Sequence, residues 1–515
     1  MIRNRFLLGV LLLAAALQTA GMAFAESEDN TLIVGEMFDI TNDALDPVED
    51  GSVMAEKALI TESLVGVNPD LSIKPLLAES WSQIDDKTWE FKLRDDVYFH
   101  DGSKMSADDV KLSLERANEK NSRVASLLML ESIDIVDPIT IRIKTKEMNP
   151  ILPAVLHYPS TAIISSSSLD NDGKVVTPIG TGPFKFENFD AQTHELTVAK
   201  NDKWWGGDVL LDGIILKPIQ DPNTRALALE SGEVDFTVDV PYNEVERINA
   251  LDDITVEKYE NPRIYYINFN FKHSPLDDVR VRQAVAYGMD KDSIVEYVLF
   301  GVGKAANGPF MPSFNWANQK LVAYDYDVDK AKDLLDQAGW KDTDGDGIRD
   351  KDAKALELSL FTWPQRPGQP PMAEAIASQM KDIGIKVNVD VVDYSIIDER
   401  KSRGEWDMVL GAMNVAMVPD PSYILESNFK TGGSSNYGYS NEKVDQLLKD
   451  ASETNNQEKR QEYFNQVQEI VQEDLPIITV AYYGLAIAMK DYVRGYVFDP
   501  TAHDYKLNPE MYIEK

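Results

Sequence analysis

IKPLLAESWSQIDDKTWEFKLRDDVYFHDGSKMSADDV, residues 73–110, reads as strand, turn, strand, turn and helix in close succession. Between Lys87 and Arg94 the apolar Trp89, Phe91 and Leu93 alternate with Glu90, Lys92 and Arg94, the pattern of a half-buried antiparallel strand. The segment Pro75–Trp81 leads into a partner strand, and Asp85-Asp86-Lys87 is the hairpin turn between them. His100-Asp101-Gly102 makes a second turn. Ser106, with Asp109 three positions on, predicts a helix N-cap and an acidic first turn; Val110, Leu114 and Ala117 then share one helical face.

Working outward, the words AESW, TWEFKLRDDVYFHDG and SADDV resemble the N-terminal signature of the bacterial family 5 extracellular solute-binding proteins. That family includes oligopeptide-, dipeptide- and nickel-binding receptors of ABC importers. The resemblance continues through Gly180-Thr181-Gly182-Pro183-Phe184, Asp221-Pro222-Asn223-Thr224-Arg225, Ser231-Gly232-Glu233-Val234-Asp235 and Asp278-Val279-Arg280-Val281-Arg282-Gln283-Ala284. It covers nearly all of the chain after residue 25. These words mark the family and say little about the ligand.

At 515 residues the chain is too long for one core of ordinary size. Residues 1–25 carry Arg3 and Arg5, an apolar run from Phe6 to Leu17 and an Ala23-Phe24-Ala25 ending, which together read as a cleavable secretory signal peptide. The rival reading, an uncleaved membrane anchor, suffers from an apolar run shorter than the about 20 residues a spanning helix needs. No later stretch is apolar enough to cross a bilayer, so the protein is not expected to be membrane-embedded. The absence of cysteine excludes disulfides, thiol catalysis and a lipid-bearing cysteine anchor. A freely soluble periplasmic protein is the expected outcome. The formal charge of −35 moves to near −37 once the signal segment and its two arginines are removed. Such a surface repels nucleic acid and anionic lipid.

Along the chain, a strand near Leu32–Val34 is followed by a helical pattern over Ala55–Leu64, then by residues 72–178, read as an inserted subdomain. Arg263–Phe271 predicts a strand that crosses into a second lobe, opened by a helix over Asp277–Leu299. Helices and strands alternate from Val328 to Met413, which argues βαβ units and a mostly parallel sheet. The expected fold is α/β: the two-lobed periplasmic-binding-protein architecture with an extra subdomain in the first lobe and a hinged interlobe cleft. Lobe I takes residues 26–269 with 487–515, and lobe II takes 270–486.

Catalytic signatures are missing. There is no H-E-x-x-H, nucleophile elbow or Walker loop, and the five histidines are scattered. Gly301-Val302-Gly303-Lys304-Ala305-Ala306 fits G-x-G-x-x-A but follows a helix rather than a strand, the wrong context for a dinucleotide. His157 lies in a loop that either faces the cleft or packs locally. Asp342, Asp344, Asp346 and Asp350 occupy positions 1, 3, 5 and 9 of a calcium-loop pattern with Gly347 at 6, while Ala353 fails position 12. A structural calcium ion and a solvated turn are both open there; no cofactor is required elsewhere.

The segment Gly411–Tyr423 follows the last strand of the βαβ run, where open α/β sheets place ligands. Dipeptide receptors of the family hold the ligand amine with an aspartate three positions before the Asp-Pro pair; Met417 stands there, ahead of Asp420-Pro421. The resemblance nominates Trp363, Arg366, Met413, Asn414, Met417, Asp420, Tyr437 and Tyr265 as ligand contacts, with core packing the rival role for Met413 and Met417. Met, Trp, Tyr, Asn and Arg suit a peptide or a metal chelate better than a bare divalent ion. The function this implies is capture of a peptide-sized ligand or nickel chelate by a monomeric receptor, which hands it to the permease and ATPase subunits of an importer. Two alternatives stand beside it: a sensor of the same fold coupled to a chemoreceptor, and a secreted calcium-dependent hydrolase.

Overall fold

The computed structural model describes residues 30–49 and 52–514, so the signal-peptide segment 1–25 lies outside the described residues. One continuous sheet runs through both lobes. From one edge its strands are Lys386–Val391, Glu357–Thr362, Met408–Asn414, Ile254–Phe269, Ile477–Lys490, Phe236–Val238, Thr31–Glu36, Gly213–Pro218, Leu196–Lys200 and Phe184–Phe189. The short strand Gly303–Ala305 adds to Ile477–Lys490 off this path. Parallel pairing of Glu357–Thr362 with both of its neighbours builds one half, and parallel pairing of Thr31–Glu36 with both of its neighbours builds the other. This is a two-lobed α/β architecture.

The two long strands join the halves. Ile254–Phe269 and Ile477–Lys490 pair antiparallel along most of their length, with register shifts between Glu260 and Ile264 and between Tyr265 and Tyr266. All 14 residues of the second strand are buried, consistent with the uninterrupted apolar run IITVAYYGLAIAM. The crossing strand therefore begins nine residues before the expected Arg263. Pro262, which has no N–H to give to a ladder, sits at the shift as a bulge inside a longer strand rather than at a strand start. Opposite it, Gly484 lets the Gly303 strand approach: a Cβ there would lie 2.5 Å from the Gly303 nitrogen.

Residues 73–110 form the hairpin and helix read from the sequence. Ala78–Asp85 pairs with Thr88–Leu93, which pairs with Thr140–Thr145, which pairs with Leu130–Asp137, in a separate four-stranded antiparallel sheet. Phe91, Leu93, Ile141 and Ile143 pack in one core with Val110, Leu114 and Ala117 of the helix Ala107–Lys120. The Ser106 hydroxyl donates to Asp109 at 2.7 Å within a capping box.

Two expected helices differ. Residues 55–64 are turns and a β-bridge, because the Leu59 and Ile60 carbonyls accept from the Phe184 and Gly182 amides instead of from a helical turn. Side chains at Gly180 and Gly182 would overlap those same carbonyls, which explains the glycines of the Gly-Thr-Gly-Pro word. The span Asp277–Leu299 breaks after Val279–Tyr287 at Gly288, and Asp290 caps a new turn that widens into a π-turn at Ile294–Val298.

The same joint buries an acid. Glu62 accepts from Thr181 Oγ1 at 2.8 Å, Trp205 Nε1 at 2.8 Å and Trp204 Nε1 at 3.2 Å. Burial pushes its carboxyl up to about 7, against the smaller opposing effect of these three hydrogen bonds. Between the unfolded value of 4.5 and about 7, the folded state holds a proton that the unfolded chain has released. This stabilisation is complete below the unfolded value and lost as pH rises through about 7. Relative to wild type, Glu62→Gln should gain ~2 kcal/mol of unfolding free energy between about pH 5 and about pH 8 in urea titrations. A wild-type-to-variant difference that stays constant with pH would refute this.

Candidate functional site

A cavity of about 1040 Å³ opens between the lobes. Three of its wall residues lie at or just beyond the carboxyl ends of parallel strands in the second half-sheet: Trp363, Tyr394 and Asn414, the last closing its own strand. Phe38, Asp39 and Gln220 do the same for the strands Thr31–Glu36 and Gly213–Pro218. Both half-sheets thus aim the same end of their parallel strands at one space, the place where open α/β sheets leave a crevice. The inserted subdomain closes one side through residues 121–129 and 148–151, and the helix Ser422–Phe429 closes another.

Of the nominated residues, Trp363, Arg366, Met413, Asn414, Met417 and Tyr437 lie on this wall. Met417 lies on the wall and also packs in the core of the inserted subdomain. Three residues lie elsewhere. Tyr265 is fully buried, with its hydroxyl 3.0 Å from that of Tyr242 and its ring 4.7 Å from Tyr483. Its neighbour Tyr266 faces the cavity instead, as alternation along a strand demands. Asp420 is engaged by Arg460, which donates to its two oxygens at 2.8 and 2.9 Å, and by Ser422. His157 is buried against Thr501 Oγ1 at 2.8 Å, and burial lowers its imidazole to about 4.

Arg366 reaches the wall already paired. Its guanidinium donates to Asp504 at 2.6 Å and lies 3.5 Å from Asp239. Arg263, from the crossing strand, shares the same Asp504 oxygen at 3.2 Å and also donates to the His503 carbonyl. Lys57 bonds Glu36 at 2.8 Å and approaches the other Asp504 oxygen at 3.9 Å. Burial acts to raise the Asp504 carboxyl, but His503, Arg366 and Arg263 together hold it well below the usual carboxylate range. The knot ties the second half-sheet, the first half-sheet, the crossing strand and the C-terminal tail at one point.

Sequence reasoning missed several wall residues. Tyr423 and Glu426 lie on the helix Ser422–Phe429, and Arg123 lies 3.5 Å from the Tyr423 hydroxyl. Burial raises the Glu426 carboxyl from its ordinary value, with Lys430 and Arg460 opposing that shift. Lys401 projects from the helix Tyr394–Arg403. In the acidic loop, Asp342, Asp344 and Asp346 bring carboxylate oxygens within 4.8 Å of one another. Asp350 does not join them; both its oxygens accept from the Thr343 hydroxyl at 2.8 Å.

The model of the Bacterial extracellular solute-binding proteins, family 5 Middle, matches residues 72–436. The chain belongs to this family. It is 30% identical over 505 residues to the oligopeptide-binding protein AppA of Bacillus subtilis (strain 168), covering 92% of this chain and 90% of that one. The fold matches NikA from Staphylococcus aureus in complex with Ni(L-His)2 at a TM-score of 0.82 and 25% identity, covering 94% of this chain and 100% of that one. It matches AppA from Bacillus subtilis in complex with a nonapeptide at a TM-score of 0.82 and 26% identity, covering 95% and 100%. As a family 5 receptor, the protein is the solute-binding part of an ABC importer. Among the described residues, no helix is long and apolar enough to cross a membrane.

The words that mark a family 5 receptor turn out to be joints. Arg225 is fully buried and donates to the carbonyls of Ile219, Gln220 and Asp239. Arg282 donates to the carbonyls of Leu276, Asp474 and Leu475. His100 bridges Gly180 and Gly182. They hold the two lobes in shape while the cavity wall is drawn from other residues. Removing the acid at the centre of the knot should be costly, because it leaves Arg263 and Arg366 buried without their shared partner. Asp504→Asn is expected to lose about 3–5 kcal/mol of stability in denaturant unfolding. A loss below about 1 kcal/mol would show that the knot is not what joins the lobes.

Proposed function

We propose that this family 5 receptor works in the periplasm, captures a short peptide or a metal chelate of similar size, and delivers it unaltered to its permease. The observation that carries this reading is the character of the cavity. Its volume of about 1040 Å³ stands at the upper end of the range typical of small-molecule sites and far above what a bare ion fills. Its wall mixes aromatic rings with both signs of charge, Glu426 against Arg123 and Lys401, which suits a zwitterionic or carboxylate-bearing guest. Among the described residues, the one cluster of carboxylates close enough to hold a metal, Asp342 with Asp344 and Asp346, is not on that wall. The relatives that bind a nonapeptide and Ni(L-His)2 support the same class of ligand. Lobe I, residues 26–269 with 487–515, would close on lobe II, residues 270–486, by bending of the crossing strands.

Native mass spectrometry of the purified protein, with metal analysis of the same sample, tests the assignment. A bound mass matching a peptide, or an organic ligand with stoichiometric nickel, is expected. A co-purified sugar, or a bound compound released in altered form, would overturn it.

The loop at 342–350 is proposed as a separate structural calcium site served by Asp342, Asp344 and Asp346. Added calcium should raise the melting temperature of wild type and leave the Asp342→Asn, Asp344→Asn double variant unmoved. No change in wild type would leave the loop a plain solvated turn.

A further inference from the structure

Lys401 is a cation built into an apolar corner of the cavity. It sits in the last turn of the helix Tyr394–Arg403, and its ammonium donates to the Tyr437 hydroxyl at 3.1 Å. The same nitrogen lies 4.7 Å from the centre of the Tyr437 ring and 5.9 Å from that of Trp406. Trp363 meets Tyr394 edge-on at 5.2 Å on the wall, and Trp406, buried behind it, meets Tyr437 edge-on at 5.0 Å, so the corner is lined by Trp363, Tyr394 and Tyr437 with Trp406 backing them.

What distinguishes Lys401 is that it has no carboxylate at ion-pair distance. On the same wall Arg263, Arg366, Lys430 and Arg460 have carboxylates at 3.2, 2.6, 3.9 and 2.8 Å. Among the described residues no carboxylate comes within ion-pair distance of Lys401, whose polar partner is a phenol. Burial lowers the ammonium from its ordinary value, with Tyr394 and Asp398 opposing. A half-buried cation facing aromatic rings and a cavity is an incomplete pair. Arg123 of the inserted subdomain also bears electrostatically on Tyr394, so positive charge approaches this corner from both sides of the cleft. One ammonium and one hydroxyl, without an arginine fork, match a singly charged carboxylate better than a phosphate dianion.

We propose that Lys401 and the Tyr437 hydroxyl receive a carboxylate of the captured ligand, so that the receptor selects ligands bearing an acid at this end over their amide-capped counterparts. This rests on the peptide-or-chelate reading and adds to it a stated group at a stated place. The test begins with the full chain and a pool of synthetic di- to tetrapeptides together with nickel complexes of histidine and EDTA, ranked by native mass spectrometry. The best-retained member is then remade with each carboxylate in turn as an amide or deleted, and titrated calorimetrically. One such change should weaken wild-type binding about tenfold or more. Lys401→Met should bind the acid and its altered form alike, while Lys401→Arg should still prefer the acid. Equal wild-type affinity for acid and altered forms, or an acid preference that survives in Lys401→Met, would overturn the subsite and leave the ligand class standing. Retention of no pool member by wild type would overturn the ligand class, and the subsite with it.

Discussion

The molecule turns on one buried carboxylate. Asp504, from the C-terminal tail, receives Arg366 from the second half-sheet and Arg263 from the crossing strand, and Lys57 beside Glu36 approaches from the first half-sheet. None of these cations is tolerable there alone, because removing an ion from water costs several kcal/mol after relaxation. Their mutual satisfaction fixes the tail across the base of the cleft. His503 is thereby placed on the cavity wall, and the lobes acquire a polar anchor beside the buried strand Ile477–Lys490.

That anchor also explains why Arg366 is a poor candidate for a free ligand-binding guanidinium. Arginine after a strand end in a cleft-forming segment looks like an anion receptor in sequence, yet here the anion is internal. Lys401 inverts the comparison. In the sequence it belongs to DERKSRG, which reads as the solvated basic end of a helix favoured by the backbone dipole. Only the fold shows that it turns inward toward Tyr437 while Arg400 and Arg403 pair with glutamates at the surface.

Legibility in the sequence followed the range of the interaction concerned. The hairpin and capped helix of residues 73–110 depend on alternation and on an Asp three positions from a Ser, both local, and both came through. The missing helix at 55–64 depends on glycines more than a hundred residues away that bring Gly182 and Phe184 against its carbonyls. The crossing strand was shortened because Pro262 has the same local meaning at a strand start and at a bulge; only its partner near Gly484 distinguishes the two. Tyr265 and Tyr266 are indistinguishable as letters, and only the register of the strand shows that Tyr266 is the one on the cavity wall. Conversely, the family words were easy to recognise because close backbone approach and buried guanidinium joints constrain residue type strongly, whereas a cavity wall can be built many ways.

The division of labour has an energetic consequence for closure. A receptor responds to its ligand only through interactions that differ between open and closed forms. The charges of the Asp504 knot are paired within the chain itself, so it supplies rigidity and little discrimination. Lys401 has no carboxylate at ion-pair distance, so closing the walls around it without a guest strips water from a cation and returns only a phenol and ring faces. A ligand acid entering that corner supplies the missing charge in a setting of low polarity, where the pair is worth more than it would be in water. That corner therefore works against closing on nothing. Selectivity in this design comes from what the wall leaves unpaired rather than from what it pairs.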